Sequence, residues 1–215
     1  MKKSIYKIAM IVCLTISSIS CSQSEEKINS EIISYFNNNA KDPKSYEFIE
    51  LKVTDTITVN ECANSIYKNN TEFIEYCKNS IVEYEAKITK IKREVQEAKS
   101  LEYVDLELLK KVIASSDEST NRKIERINSL KTQITNGEKQ NLELSKYSKN
   151  TDVISYVYWH KYRLKNSFGA LDLFESYFTL DKDYLLINKS EDILEPQTSA
   201  NKKFKELYLN NKETN

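Results

Sequence analysis

The chain has 215 residues, 30% of them charged and divided evenly into 32 basic and 32 acidic side chains, with a mean hydropathy of −0.59. That balance removes the basic footprint that nucleic-acid binding requires, and one histidine with four cysteines leaves little from which to build a zinc site. Only Gly137, Gly169, Pro43 and Pro196 interrupt the chain, which excludes long flexible linkers and suits one domain or one domain with an insertion.

The first twenty residues read as a signal peptide. Lys2, Lys3 and Lys7 charge the start, and Ile8 to Ile19 then run apolar or small. Twelve such residues are too few to span a bilayer, which takes about 20. The junction Ser18-Ile19-Ser20-Cys21 resembles the lipobox of bacterial lipoproteins, with Ser18 where an aliphatic residue is usual. The resemblance implies cleavage before Cys21, acylation of that cysteine and a lipid anchor in the bacterial cell envelope, at the outer membrane. Two buried acyl chains are what stable attachment needs. Loss of Lys2, Lys3 and Lys7 leaves 29 basic groups against 32 acidic ones on a mature chain of 195 residues, so no nucleic acid is expected as a partner.

Ser24 can cap a first helix, with Ile28, Ile32, Tyr35 and Phe36 on one face and an end near Asn38. Asp42-Pro43-Lys44-Ser45 makes a turn, and Tyr46 to Val59 alternates as a strand. Ile74, Cys77, Ile81, Tyr84, Ile88, Ile91, Val95 and Ala98 then recur at alternating steps of three and four, the seam of a long helix. A second helical stretch from near Leu101 carries Leu106, Leu109 and Val112, then Ile124, Ile127, Leu130 and Ile134 toward Leu144. Packed antiparallel, the two make an inserted coiled-coil-like hairpin over residues 61–147. The hairpin either projects as an arm or folds back over the sheet. Val153 to Lys165, the turn at Asn166 to Gly169 and the returning LDLFESYFTL read as a β-hairpin. A last helix follows Pro196 with Ala200, Phe204, Leu207 and Tyr208 on one side, and residues 210–215 should fray. The expected fold class is α+β: a small antiparallel sheet with N- and C-terminal helices from residues 21–60 and 148–215, interrupted by the hairpin.

The DPxS turn after a helix, followed far downstream by Lys165-Asn166-Ser167-Phe168-Gly169 and a returning strand, resembles small uncharacterised lipoproteins of Bacteroidetes type. The acidic start Cys21-Ser22-Gln23-Ser24-Glu25-Glu26 is similar to the surface-export signal of such proteins, which leaves the periplasmic and the outward face both open. The resemblance implies shape and address and no activity.

With Cys13 in the signal segment and Cys21 acylated, Cys62 and Cys77 remain. An exported chain favours a disulfide between them, with two free thiols as the alternative. Period two puts Tyr158, His160 and Tyr162 on one face of a strand, a pocket for a small ligand or glycan if the space is open. The other face carries Trp159, Lys161, Arg163 and Lys165, a basic row beside an indole that could dock an acidic partner. No catalytic motif accompanies His160, so no catalytic residue, metal or cofactor is assigned. The expected role is a non-enzymatic envelope module binding a protein partner, with ligand or glycan binding as the second reading.

Overall fold

The structure is a computed structural model that describes residues 24–100 and 105–210. The signal segment, Cys21, the start of the second long helix near Leu101 and the tail beyond residue 210 lie outside the described residues.

The fold is α+β, and its four-stranded antiparallel sheet runs in the order β1-β2-β3-β4. The strands are β1 (Glu47–Thr58), β2 (Val153–Lys165), β3 (Leu171–Asp181) and β4 (Leu186–Ser190). Helix α1, residues 24–39, buries Ile28, Ile32 and Phe36 against Tyr158, Tyr162, Phe178 and Leu180. The four-residue spacing of those α1 positions makes a single apolar stripe, and the sheet supplies its cover. Tyr158 and Phe178 stand opposite each other on β2 and β3, so one face of the central strands is an aromatic floor. Helix α4 (Glu195–Phe204) packs against β2, β3 and β4 and buries Ala200 and Phe204. The chain then widens into a π-turn at Lys205–Leu209. That turn rotates the face, which is why Leu207, expected beside Phe204, is exposed while Tyr208 stacks on Phe204 at 5.3 Å.

Two turns set the register. At the tip of β2 and β3, Asn166 Oδ1 accepts from the amides of Phe168 and Ala170, and Gly169 takes φ +83°, a region that favours glycine. The DPxS segment forms a 3-10 turn over Pro43–Ser45. There the buried Ser45 hydroxyl donates to the Asp42 carbonyl at 2.7 Å and accepts from the Lys165 amide at 3.1 Å. One side chain therefore joins two turns 120 residues apart in sequence. Strand β4 was not anticipated, because five residues reading Leu-Ile-Asn-Lys-Ser have no alternation to detect. Its signal lay in the preceding turn: Asp181 Oδ1 accepts from the amides of Asp183 and Leu185, and Tyr184 sits at φ 62°.

The chain divides into two compact units, one formed by residues up to Cys62 with those from Lys149 onward, the other by Ala63–Ser148. The second unit is the helical pair of α2 (Val59–Lys99) and α3 (Leu106–Ser145). Asn70 bonds Gln140 and Asn141, Lys78 pairs with Glu138, and Gly137 admits Ile74 so closely that a Cβ there would lie 3.1 Å from its side chain. These contacts fix an antiparallel register. Ile74, Cys77, Ile127, Leu130 and Leu144 are buried, and Ile81 to Ala98 of the α2 seam are half-buried. The α3 seam differs from expectation. It runs through the expected Leu109 and on through Ile113, Ser116, Thr120, Lys123, Ile127, Leu130, Ile134, Gly137, Asn141 and Leu144, while Leu106, Val112 and Ile124 are exposed. Asp105 caps α3, accepting from the amides of Glu107 and Leu108.

The Cys62–Cys77 disulfide is a misreading, since both thiols are buried and free. They lie fifteen residues apart on the one helix α2, a rise of roughly 22 Å, and a disulfide tolerates Cα atoms only about 4.4–6.8 Å apart. Burial, with Glu61 beside it, pushes the Cys62 thiol up to about 12 and keeps it protonated at neutral pH. Protein produced from Ser24 onward and unfolded without reductant should therefore release two reactive thiols in a colorimetric titration, whereas the native form should react slowly. A titre of zero in denaturant would restore the disulfide. Ser45→Ala should lower unfolding free energy by about 1–3 kcal/mol, because the Lys165 amide loses its partner, and a urea melt measures it.

Candidate functional site

Three surfaces carry the candidate residues, and the structure treats them differently. His160 lies on β2 facing α1 and is completely buried. Its Nδ1 is 2.8 Å from the Glu50 carbonyl and its Nε2 is 2.8 Å from the Tyr46 hydroxyl. A carbonyl can only accept, so Nδ1 carries the proton, and Nε2 accepts from Tyr46. Both ring nitrogens are thus used within the fold. Around the ring stand Tyr162, stacked at 5.1 Å, Phe178 edge-on at 5.7 Å, Phe48 at 5.3 Å and Phe36 at 6.3 Å. Burial lowers the imidazole below its ordinary 6.5 and pushes Tyr46 and Tyr158 up to about 12.

The expected pocket at Tyr158, His160 and Tyr162 is therefore filled. Phe36 of α1 packs 4.6 Å from Tyr162 and 4.4 Å from Tyr46, and Phe178 closes the floor. Tyr162 and Phe174 reach only the edge of a shallow groove of about 210 Å³ beside Tyr35 and Asn39, below the 300–1,000 Å³ usual for small-molecule sites. Alternation along β2 gave the shared face correctly. It could not reveal that α1 covers that face with aromatic rings.

The basic row exists as a row and not as a field of free positive charge. Lys161 pairs with Glu175 at 3.1 Å, Arg163 with Glu47 at 3.7 Å and Lys165 with Asp42 at 3.6 Å. Trp159 is half-buried between Lys52 and Lys161, whose ammonium groups lie 5.6 and 5.9 Å from its ring. Each exposed pair contributes little to stability, yet together they neutralise the row. The acids come from β1, β3 and the DPxS turn, so their juxtaposition required the strand order that sequence alone leaves open. Among the described residues no group of His, Cys, Asp and Glu side chains could hold a metal ion.

The third surface belongs to the helical pair. Toward the end of α2, Ile91, Lys92, Val95, Gln96 and Lys99 face Ser116, Asp117 and Thr120 of α3 across a groove of about 430 Å³. The α2 wall is apolar at seam positions while the α3 wall is hydroxylated there. Sequence reading marked the α2 stripe but missed this mismatch, because polar seam residues leave no hydrophobic signal.

The buried imidazole gives the fold a pH dependence with a definite sign. His160 binds its proton more weakly in the folded than in the unfolded chain, so acid favours unfolding. Stability should be level above about pH 7 and should decline as pH falls below the unfolded value near 6.5. Urea unfolding at pH 7.5 and pH 5.5 measures the decline, and His160→Phe should flatten it while costing stability at both values by stranding Tyr46 and the Glu50 carbonyl. An unchanged pH slope in that variant would assign the dependence to other groups. Comparison with known protein families, characterised proteins and solved structures gives no match.

Proposed function

We propose that this chain is a bacterial envelope lipoprotein, cleaved before Cys21 and anchored by acyl chains on that cysteine, acting as a non-enzymatic module that holds a protein partner on its helical pair. The address rests on the charged start, the apolar run Ile8 to Ile19 and the small-residue junction before Cys21. Among the described residues no helix is long and apolar enough to cross a membrane, so under this reading the lipid supplies the attachment at the outer membrane.

The observation that carries the binding role is the helical pair itself. Antiparallel neighbours β1 and β2 need only a short connection, yet α2 and α3, of 41 and 40 residues, stand between them. Long paired helices present side chains at a fixed repeat, a form suited to recognising other helices. Burial of Tyr158, His160 and Tyr162 beneath α1 favours this reading over ligand or glycan binding at the aromatic face.

The full chain expressed in a bacterial host should yield a membrane-fraction N-terminal peptide whose mass places acyl groups on Cys21, and Cys21→Ala should move the protein to the soluble fraction. An unmodified, soluble wild type would remove the anchor. Replacing residues 67–144 with a short Gly/Ser loop should keep the sheet folded and abolish envelope crosslinks. Crosslinks that persist would remove the helical pair as the binding surface.

A further inference from the structure

The seam of the helical pair is buried and largely apolar along part of its length and interrupted by polar side chains of α3 along another. Ile74, Cys77, Ile127, Leu130 and Leu144 are all buried, with Ile74 packed on Gly137. Farther along, α2 continues with Ile88, Ile91, Val95 and Ala98, but α3 answers with Ser116, Thr120 and Lys123 before the half-buried Ile113 and Leu109 resume its apolar seam. Short hydroxylated side chains cannot fill the space that aliphatic partners would fill. The Lys123 ammonium turns back along its own helix to Ser119, bonding the hydroxyl at 2.6 Å and the carbonyl at 3.4 Å. The groove of about 430 Å³ is the consequence, floored by Ile91 and Val95, and Ile124, one turn from Thr120, is exposed.

Charge on the rim distinguishes among occupants. Along the outer faces of α2, Lys87, Lys90 and Arg93 each pair with Glu83, Glu94 and Glu97 of their own helix. Lys92 and Lys99, one heptad apart on the groove wall, form no ion pair among the described residues, and Asp117 is the one carboxylate among the groove's lining residues. A second copy of the chain offers exposed Leu106, Leu108 and Val112, but Lys110 and Lys111 share that turn and would meet Lys92 and Lys99 with like charge.

We infer that this groove docks an amphipathic helix of a partner protein, with its apolar stripe on Ile91 and Val95 and an acidic flank along Lys92 and Lys99. A third helix fits because the α2 wall of the groove offers apolar positions that repeat every three and four residues, the repeat that receives knobs from another helix. The inference rests on the helical pair being the binding surface, and names what it binds.

The test uses the full chain purified in detergent and two fluorescein-labelled synthetic peptides of about 21 residues, three heptads long, with Leu on the apolar stripe. One has Glu on the flanks and its twin has Lys. The acidic peptide should bind saturably by fluorescence anisotropy and weaken as salt is raised. The exposed double change Lys92→Glu with Lys99→Glu should weaken it by about tenfold or more and improve binding of the basic twin. Val95→Asp, shown by circular dichroism to keep its helix content, should abolish binding of both.

The inference is overturned if the acidic peptide does not bind, binds no better than its twin, or binds the double variant equally well. Sedimentation that finds a dimer lost in Val95→Asp would overturn it in favour of a second copy. Envelope crosslinks separate the two levels of the argument. If they survive replacement of residues 67–144, the helical pair is not the binding surface; if they are lost there but kept in the double variant, only the groove is wrong.

Discussion

The antiparallel pairing of β1 with β2 is the constraint on which the rest depends. It joins Thr58 to Val153 across the whole insertion, so the two ends of that insertion must begin and finish beside each other. Closure is helped by backbone bonds just beyond the strands, from the Val59 amide to the Asp152 carbonyl at 2.9 Å and from Asn60 to Asn150 at 2.8 Å. Strand β1 passes into α2 without a loop, and the Glu61 carboxylate at the helix start accepts from the Thr58 amide at 2.7 Å and from its hydroxyl at 2.6 Å. Loop-closure entropy rises only as the logarithm of length, so a long insertion costs the sheet little once its ends are fixed. A rigid helical insert reduces even that, because its own packing sets how its ends return.

The register of that pairing also places His160 where it can stabilise β1 from within. Residues of β1 near Glu50 carry a register shift, and a carbonyl turned out of the ladder there would otherwise be buried without a donor. The His160 Nδ1 proton supplies one, and Tyr46, stacked on Phe36 of α1, satisfies the far nitrogen. The histidine thus couples β1, β2 and α1. Its conversion into a catalytic base would require freeing a nitrogen that the fold uses, which argues for a structural role on grounds of geometry. Under the proposed anchoring only Ser22 and Gln23 separate the acylated residue from Ser24, where α1 begins as described. The helix tied to the aromatic floor would then also be the one that holds the domain to its membrane.

Much of this was legible in the residues, for particular reasons. Helix α1 and strands β1, β2 and β3 follow from periodicity, since Ile28, Ile32 and Phe36 keep a helical step and β2 keeps a step of two. The meeting of the DPxS turn with Lys165 was not legible, because a hydroxyl bond between residues 45 and 165 has no local signature. The disulfide was misread for the opposite reason: cysteine count and compartment favoured it, and the unbroken helix from Val59 to Lys99 makes it geometrically impossible. The candidate pocket was a face correctly drawn and wrongly left open, because one strand's alternation says nothing about which helix lies over it. Strand β4 escaped because pairing with β3, not its own composition, makes it a strand.

The helical pair illustrates how a seam can be stable along part of its length and receptive along the rest. Where Ile74, Cys77, Ile127 and Leu130 are buried, the hydrophobic effect supplies the holding energy, of order 1.5–3 kcal/mol for each large side chain fully removed from water. Toward Ile91 and Val95 that contribution shrinks. Helix is maintained there by i,i+4 pairs such as Lys90–Glu94, Arg93–Glu97 and Glu118–Arg122, each worth only about 0.2–0.5 kcal/mol. Such a segment opens more readily than the sealed part. A ligand that binds only the closed, helical form stabilises it by mass action, and the gain is largest where intrinsic stability is lowest. A fully aliphatic α3 seam would have removed both the groove and this dependence. Ser116, Thr120 and Lys123 therefore give up packing within the pair and leave the groove beside Ile91 and Val95, the physical basis on which a third helix is proposed.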